Sequence, residues 1–179
     1  MLDISTGKFI LNSQEEWVIS PFLSKSDLMN SKFWDANKEG LRHASSNGRS
    51  FFFERLTIDG YPLSMEIHIG RNDYVDKITL RSEQATHIRE WISTPGWENT
   101  ALKQKKLHDE FLARETVIPA QLLSEKEELS IDTDWGGITS VMDLSSEPDI
   151  HIDIRYRNLS ASEKEKYLSL GRKYLHGEK

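Results

Sequence analysis

Two stretches of this chain put acids and histidines on one side of an extended backbone. Between Tyr61 and Ile69, Glu66 and His68 stand two apart, alternating with Met65, Ile67 and Ile69. Between Ile150 and Arg157, His151, Asp153 and Arg155 alternate with Ile150, Ile152, Ile154 and Tyr156. A carboxylate beside an imidazole is the smallest unit that passes a proton, and two such units together make a ligand set for zinc. Either use requires the two stretches to lie side by side, which nothing in the sequence dictates. Polar side chains on strands ordinarily face water. The chain has no cysteine, and its six histidines form no close cluster. Neither a metal nor a cofactor is expected.

Three further motifs have plainer readings. His108-Asp109 is a dyad used by metal-dependent phosphohydrolases, but the partner His and Asp positions on other helices are missing. Three residues before Phe111, His108 reads as a hydrogen-bonded packing residue. Ser5-Thr6-Gly7-Lys8 lacks the glycine-rich approach of a phosphate loop. Trp135-Gly136-Gly137 could present backbone to a ligand, yet glycine in a strand more often marks a bulge or close packing.

The elements that must position these residues follow from periodicity. Period-two alternation predicts strands over 51–58, 61–69, 74–82, about 135–143 and 150–156. Asp59-Gly60 and Gly70-Arg-Asn-Asp73 punctuate the first three into a meander, and 144–149 turns the last two into a hairpin. A small hairpin turning at Gly7 is predicted over Asp3 to Asn12, and Ile19-Ser20-Pro21 is extended. Ser24 caps a short helix reaching about Phe33 or Trp34, and 38–50 reads as a loop. A helix is predicted near 98–115, with Ala101, Leu107, His108, Phe111 and Leu112 inward and Lys103, Lys105, Lys106 and Arg114 outward. Another spans about 161–175, opened by the Ser160-to-Glu163 capping box, with Gly177 as its terminator. The sum is an α+β fold, a mostly antiparallel sheet with helices packed on one face, in a single domain over 1–179.

The 179 residues, 37% of them hydrophobic, suffice for a buried core without staples. Lack of cysteine suits a reducing compartment, and the sequence shows neither a signal segment nor an apolar run long enough for a membrane span. A cytoplasmic protein is expected. The net charge of −6 is unevenly spread. From Gln121 to Asp153, nine acids face one base, Lys126, so this stretch carries −8 and the remainder +2. Such a map disfavours nucleic acid, whose footprint is basic, and suits a basic protein partner.

Several segments together resemble a family of small bacterial cytosolic proteins akin to the immunity proteins of toxin systems. They are Trp97-Glu98, Lys105-Lys106-Leu-His108-Asp109-Glu-Phe111-Leu112, the strand Trp135-Gly-Gly-Ile-Thr-Ser-Val141-Met-Asp143 and the closing Ile150-His-Ile-Asp-Ile-Arg-Tyr156. Thr6-Gly7-Lys8 and Ile19-Ser20-Pro21 are similar too, so the resemblance spans about Asp3 to Tyr156. It departs from the family pattern at Met142, where an aromatic is usual, and in a longer tail helix.

The resemblance implies a protein that binds and blocks a cognate toxin. On the charge map, contacts are expected from Glu125, Glu127, Glu128, Asp132, Asp134, Glu147 and Asp149, with Trp135 as anchor if exposed. The competing expectation is a small enzyme or ligand-binding protein working from Glu66, His68, His151 and Asp153.

Overall fold

The computed structural model describes residues 2–12, 17–45, 47–58, 60–85, 90, 92–116, 128–145, 148–157 and 162. The predicted meander and hairpin form as expected and share one sheet. The meander is β5 (Ser50–Ile58), β6 (Tyr61–Ile69) and β7 (Val75–Ser82). The last hairpin is β9 (Gly136–Asp143) and β10 (Asp149–Tyr156). Two further strands, β4 (Leu41–Ala44) and β8 (Glu128–Thr133), complete a seven-stranded antiparallel sheet of order β4-β5-β6-β7-β10-β9-β8. Consecutive strands are neighbours except at the β7–β10 join, where the two halves meet. β1 (Leu2–Asp3), β2 (Lys8–Asn12) and β3 (Trp17–Ile19) make a separate three-stranded sheet.

Alternation decides which side each strand buries. Leu63, Met65, Ile67 and Ile69 of β6, Ile78 and Leu80 of β7, and Ile150, Ile152, Ile154 and Tyr156 of β10 are all buried. Their neighbours in sequence take the opposite, polar face. Over the apolar face lies α3 (Trp97–Glu115), the long helix expected there. Its Phe111 meets Phe9 of the small sheet edge-on at 6.5 Å between ring centroids and Tyr61 at 5.5 Å. Beyond it, Phe33 and Trp34 interlock with Phe51 and Phe53 at 5.1–5.7 Å. Each such ring contributes about 1.5–3 kcal/mol by leaving water.

Four local expectations need correction. The helix opened by Ser24 is two helices, α1 (Lys25–Met29) and α2 (Lys32–Asn37). Ser31 supplies a second N-cap at the break, accepting from the Trp34 amide at 3.1 Å. The stretch 38–50 is not all loop, since a 3-10 turn (Lys38–Gly40) leads into β4, recruited by pairing with β5. On α3, Leu107 is 41% exposed, whereas Lys105 is 3% exposed and buried. β8 forms inside the acidic stretch, where the sequence predicts no strand. The helix expected over 161–175, its capping box and Gly177 lie outside the described residues, apart from Ser162.

Candidate functional site

Asp132 on β8 and Asp134 in the turn to β9 are exposed, as is Asp143 at the end of β9. β8 is an edge of the seven-stranded sheet, so its acids stand at the rim of the molecule's main sheet. Glu128 opens β8. Glu125, Glu127 and Glu147 lie outside the described residues.

Asp149 behaves differently from its acidic neighbours. Arg81 grips it with two bonds, Nε to Oδ1 at 3.1 Å and Nη2 to Oδ2 at 3.0 Å, and His151 Nδ1 sits 3.1 Å away. Burial alone would raise its carboxyl; His151 and the Arg81 guanidinium outweigh burial and hold it well below the usual carboxylate range. Its charge is spent inside the sheet.

Trp135 is not an exposed anchor: its side chain is fully buried. Its indole Nε1 donates to the Ile4 carbonyl at 2.6 Å, and its ring lies 5.7 Å from that of Tyr156. Gly7, at φ +70°, passes so close that an added Cβ would stand 2.5 Å from Trp135 Cδ2. The Trp-Gly-Gly motif therefore packs backbone against ring and strand. The indole is the bolt between the two sheets.

On the polar face, β7 lies between β6 and β10, so the two chemistry-bearing strands are not neighbours. β7 nevertheless joins them. Thr79 pairs in register with Glu66 on one side and Asp153 on the other, and its hydroxyl donates to Asp153 Oδ1 at 2.6 Å. Arg81 approaches Glu66 at 3.9 Å while holding Asp149. Lys77 stands 3.7 Å and Arg155 3.0 Å from Asp153, which is 2% exposed. His151 Nε2 is 3.7 Å from Asp153 Oδ1, and His68 Nε2 is 3.5 Å from Glu66 Oε1. Ser50 donates its hydroxyl to Glu66.

These contacts set the titration of the network. His68 beside Glu66, helped by Ser50 and Arg81 against the opposing pull of burial, brings that carboxyl down to about 2. Burial would raise Asp153, but His151 and Thr79 outweigh it and keep it ionised far below the usual range. Burial likewise opposes the charged form of His151, yet its two aspartates prevail and its pKa rises. Glu66, His68, His151 and Asp153 thus do come together, in a lattice of alternating charge. Sequence reasoning missed the residues that link them, Lys77, Thr79 and Arg81. The available signal was their own alternation with Ile78 and Leu80 along β7. Among the described residues, no group of three His, Asp or Glu side chains is arranged to hold a metal ion.

His108 and Asp109 turn out to serve different partners. His108 is buried and its Nε2 accepts from the Ser82 amide at 2.7 Å. Burial drives its pKa down to about 3, so it stays neutral. Asp109 accepts from Lys105 Nζ at 2.6 Å and from the Ser140 hydroxyl at 3.0 Å. Both residues fasten α3 to the sheet.

Comparison with protein-family models, with curated proteins and with solved structures gives no match. Among the described residues, no helix is long and apolar enough to cross a membrane.

Proposed function

We propose that this chain is a cytosolic binding module that neutralises a cognate protein toxin by docking its acidic stretch onto a basic active-site surface. The observation that carries the reading is the exposure of Asp132 and Asp134 at the β8 edge of the main sheet and of Asp143 at the end of β9, within a stretch of net charge −8. Among the described residues, no Lys or Arg side chain is ion-paired to Asp132 or Asp134. Their field is therefore directed outward, where it speeds encounter with a positive partner. The test is the association rate with the cognate toxin at two salt concentrations. Reversing Asp132, Asp134 and Asp143 to Lys should slow association markedly and weaken its salt dependence. Asp149 is spared, because its loss would leave Arg81 only the more distant Glu66 at 3.9 Å. Reversal of Glu163 and Glu165, outside the stretch, is the control. Unchanged rates at both salts would place the interface elsewhere.

A second reading is an enzyme or ligand-binding protein working from the polar face. It is favoured by one observation, the gathering of Glu66, His68, His151 and Asp153 around Thr79 and Arg81. A loss of any measured turnover or ligand affinity in His151→Gln and Glu66→Gln, with toxin association intact, would select it.

A further inference from the structure

One end of the polar face opens, beside His68, into a cavity of about 530 Å³ that the toxin-binding reading does not employ. Its size falls among small-molecule sites. Its wall is a row of side chains crossing four adjacent strands: Ser50 pairs with His68, His68 with Lys77 and Lys77 with Arg155. The next row inward carries Glu66, Thr79 and Asp153. The basic row therefore has acids on one flank and the cavity on the other.

Arg49 also lines the cavity. Its place is fixed by the turn before β5, where Ser45 Oγ accepts from the Arg49 amide at 3.0 Å and the Ser50 amide at 2.9 Å. Its own carbonyl accepts from the Ile69 amide at 2.7 Å, and its guanidinium donates to the Gly70 carbonyl. A guanidinium carries five N–H donors, so that contact leaves capacity for a ligand. The cavity wall counts Arg49, Lys77 and Arg155 against Asp76, an excess of two positive charges before His68 is considered. Asp153 behind the row offsets one of them, since a single carboxylate is shared by Lys77 and Arg155. Asp73, 3.3 Å from Arg49 Nη2, formally offsets the other, though at 71% exposure water screens that pair. Arg155 is 63% exposed and can turn toward the cavity without unfolding anything.

We propose that this cavity binds a compact polyanion, phosphoryl or carboxylate in chemistry. Arg49 and Arg155 supply planar forks, Lys77 a point charge and His68 a hydrogen bond between them, while Ser50, its hydroxyl given to Glu66, only lines the wall. The site is independent of the acidic edge and of the toxin reading.

The full chain is titrated with pyrophosphate, with citrate and with glycerol as a neutral control, following backbone amide resonances by NMR. Saturable shifts at Ser50, His68, Lys77 and Arg155 are expected with at least one of the two anions and none with glycerol. A response to pyrophosphate alone assigns a phosphoryl ligand, and a response to citrate alone assigns a polycarboxylate. Arg49→Gln and Lys77→Gln should each weaken binding about tenfold, the loss of one charge-assisted contact. Arg42→Gln, whose guanidinium pairs with Glu54 outside the cavity at 2.8 Å, should leave it unchanged. Lys77→Gln retains the Asp153–Arg155 pair, so the test survives if Arg49→Gln fails to fold. The proposal is overturned if neither anion gives a saturable shift at tens of millimolar. It is equally overturned if Lys77→Gln binds as tightly as the unaltered protein.

Discussion

At the scale of single residues, the most demanding positions are glycines and one indole. A Cβ at Gly136 would stand 1.8 Å from the Arg155 carbonyl oxygen, and backbone cannot step aside as a flexible side chain would. Gly136→Ala should therefore cost about 3 kcal/mol or more, seen as a fall in the urea midpoint. Gly60→Ala meets no atom within 4 Å and carries only the penalty of φ +84°, about 1 kcal/mol. Equal midpoints for the two variants would refute the close-approach argument. Part of this was legible beforehand: glycine in a strand signalled bulge or tight packing at Gly136. What sequence could not say was that the tryptophan beside it faces inward, because its partners are Ile4, Gly7 and Tyr156 from far along the chain.

Among the elements, α3 holds the sharpest lesson. A lysine on an amphipathic helix is read as outward, and the apolar stripe of Ala101, Phe111 and Leu112 was indeed found buried. Lys105 is buried with them because Asp109, one turn on, supplies its counter-charge, and the Ser140 hydroxyl of β9 donates in turn to that carboxylate. The Lys–Asp spacing of four was visible in the sequence; the serine that completes the trio was not. Removing one partner strands the other charge. Lys105→Met should destabilise by about 3–5 kcal/mol, while Lys105→Met with Asp109→Leu should recover part of that loss. Thermal or chemical unfolding of the single and double variants decides it, and a double variant no better than the single would sink it. Strands were easier to read than this helix. β5, β6, β7, β9 and β10 announce themselves by alternation, but β4 and β8 exist through pairing with neighbours, a contribution no local window contains.

For the molecule as a whole, two histidines pull stability in opposite directions with pH. His108 is held neutral, with a pKa near 3 against an ordinary 6.5, so the unfolded chain binds the extra proton between those values and stability falls as pH drops below 6.5. His151 is raised above 6.5, so its contribution is full below that value and is lost as pH climbs through its folded pKa. Asp149 and Asp153 add a further loss once pH falls below their ordinary 3.8. Thermal midpoints should peak near pH 6.5, the ordinary histidine value. His151→Gln should flatten the alkaline limb and His108→Gln the acid one. A curve still rising at about pH 9 would contradict the assignment of His151. The bond from Trp135 to Ile4 spans 131 residues, and it sets a schedule for the growing chain. At the usual 5–20 residues per second, the ribosome delivers that indole roughly 7–26 s after Ile4, a lag fixed by the 131-residue separation. Through that interval the turn between β1 and β2 waits for the indole that bolts the small sheet to the main one. Chaperone demand during synthesis should be set by that wait more than by the stability of the finished protein.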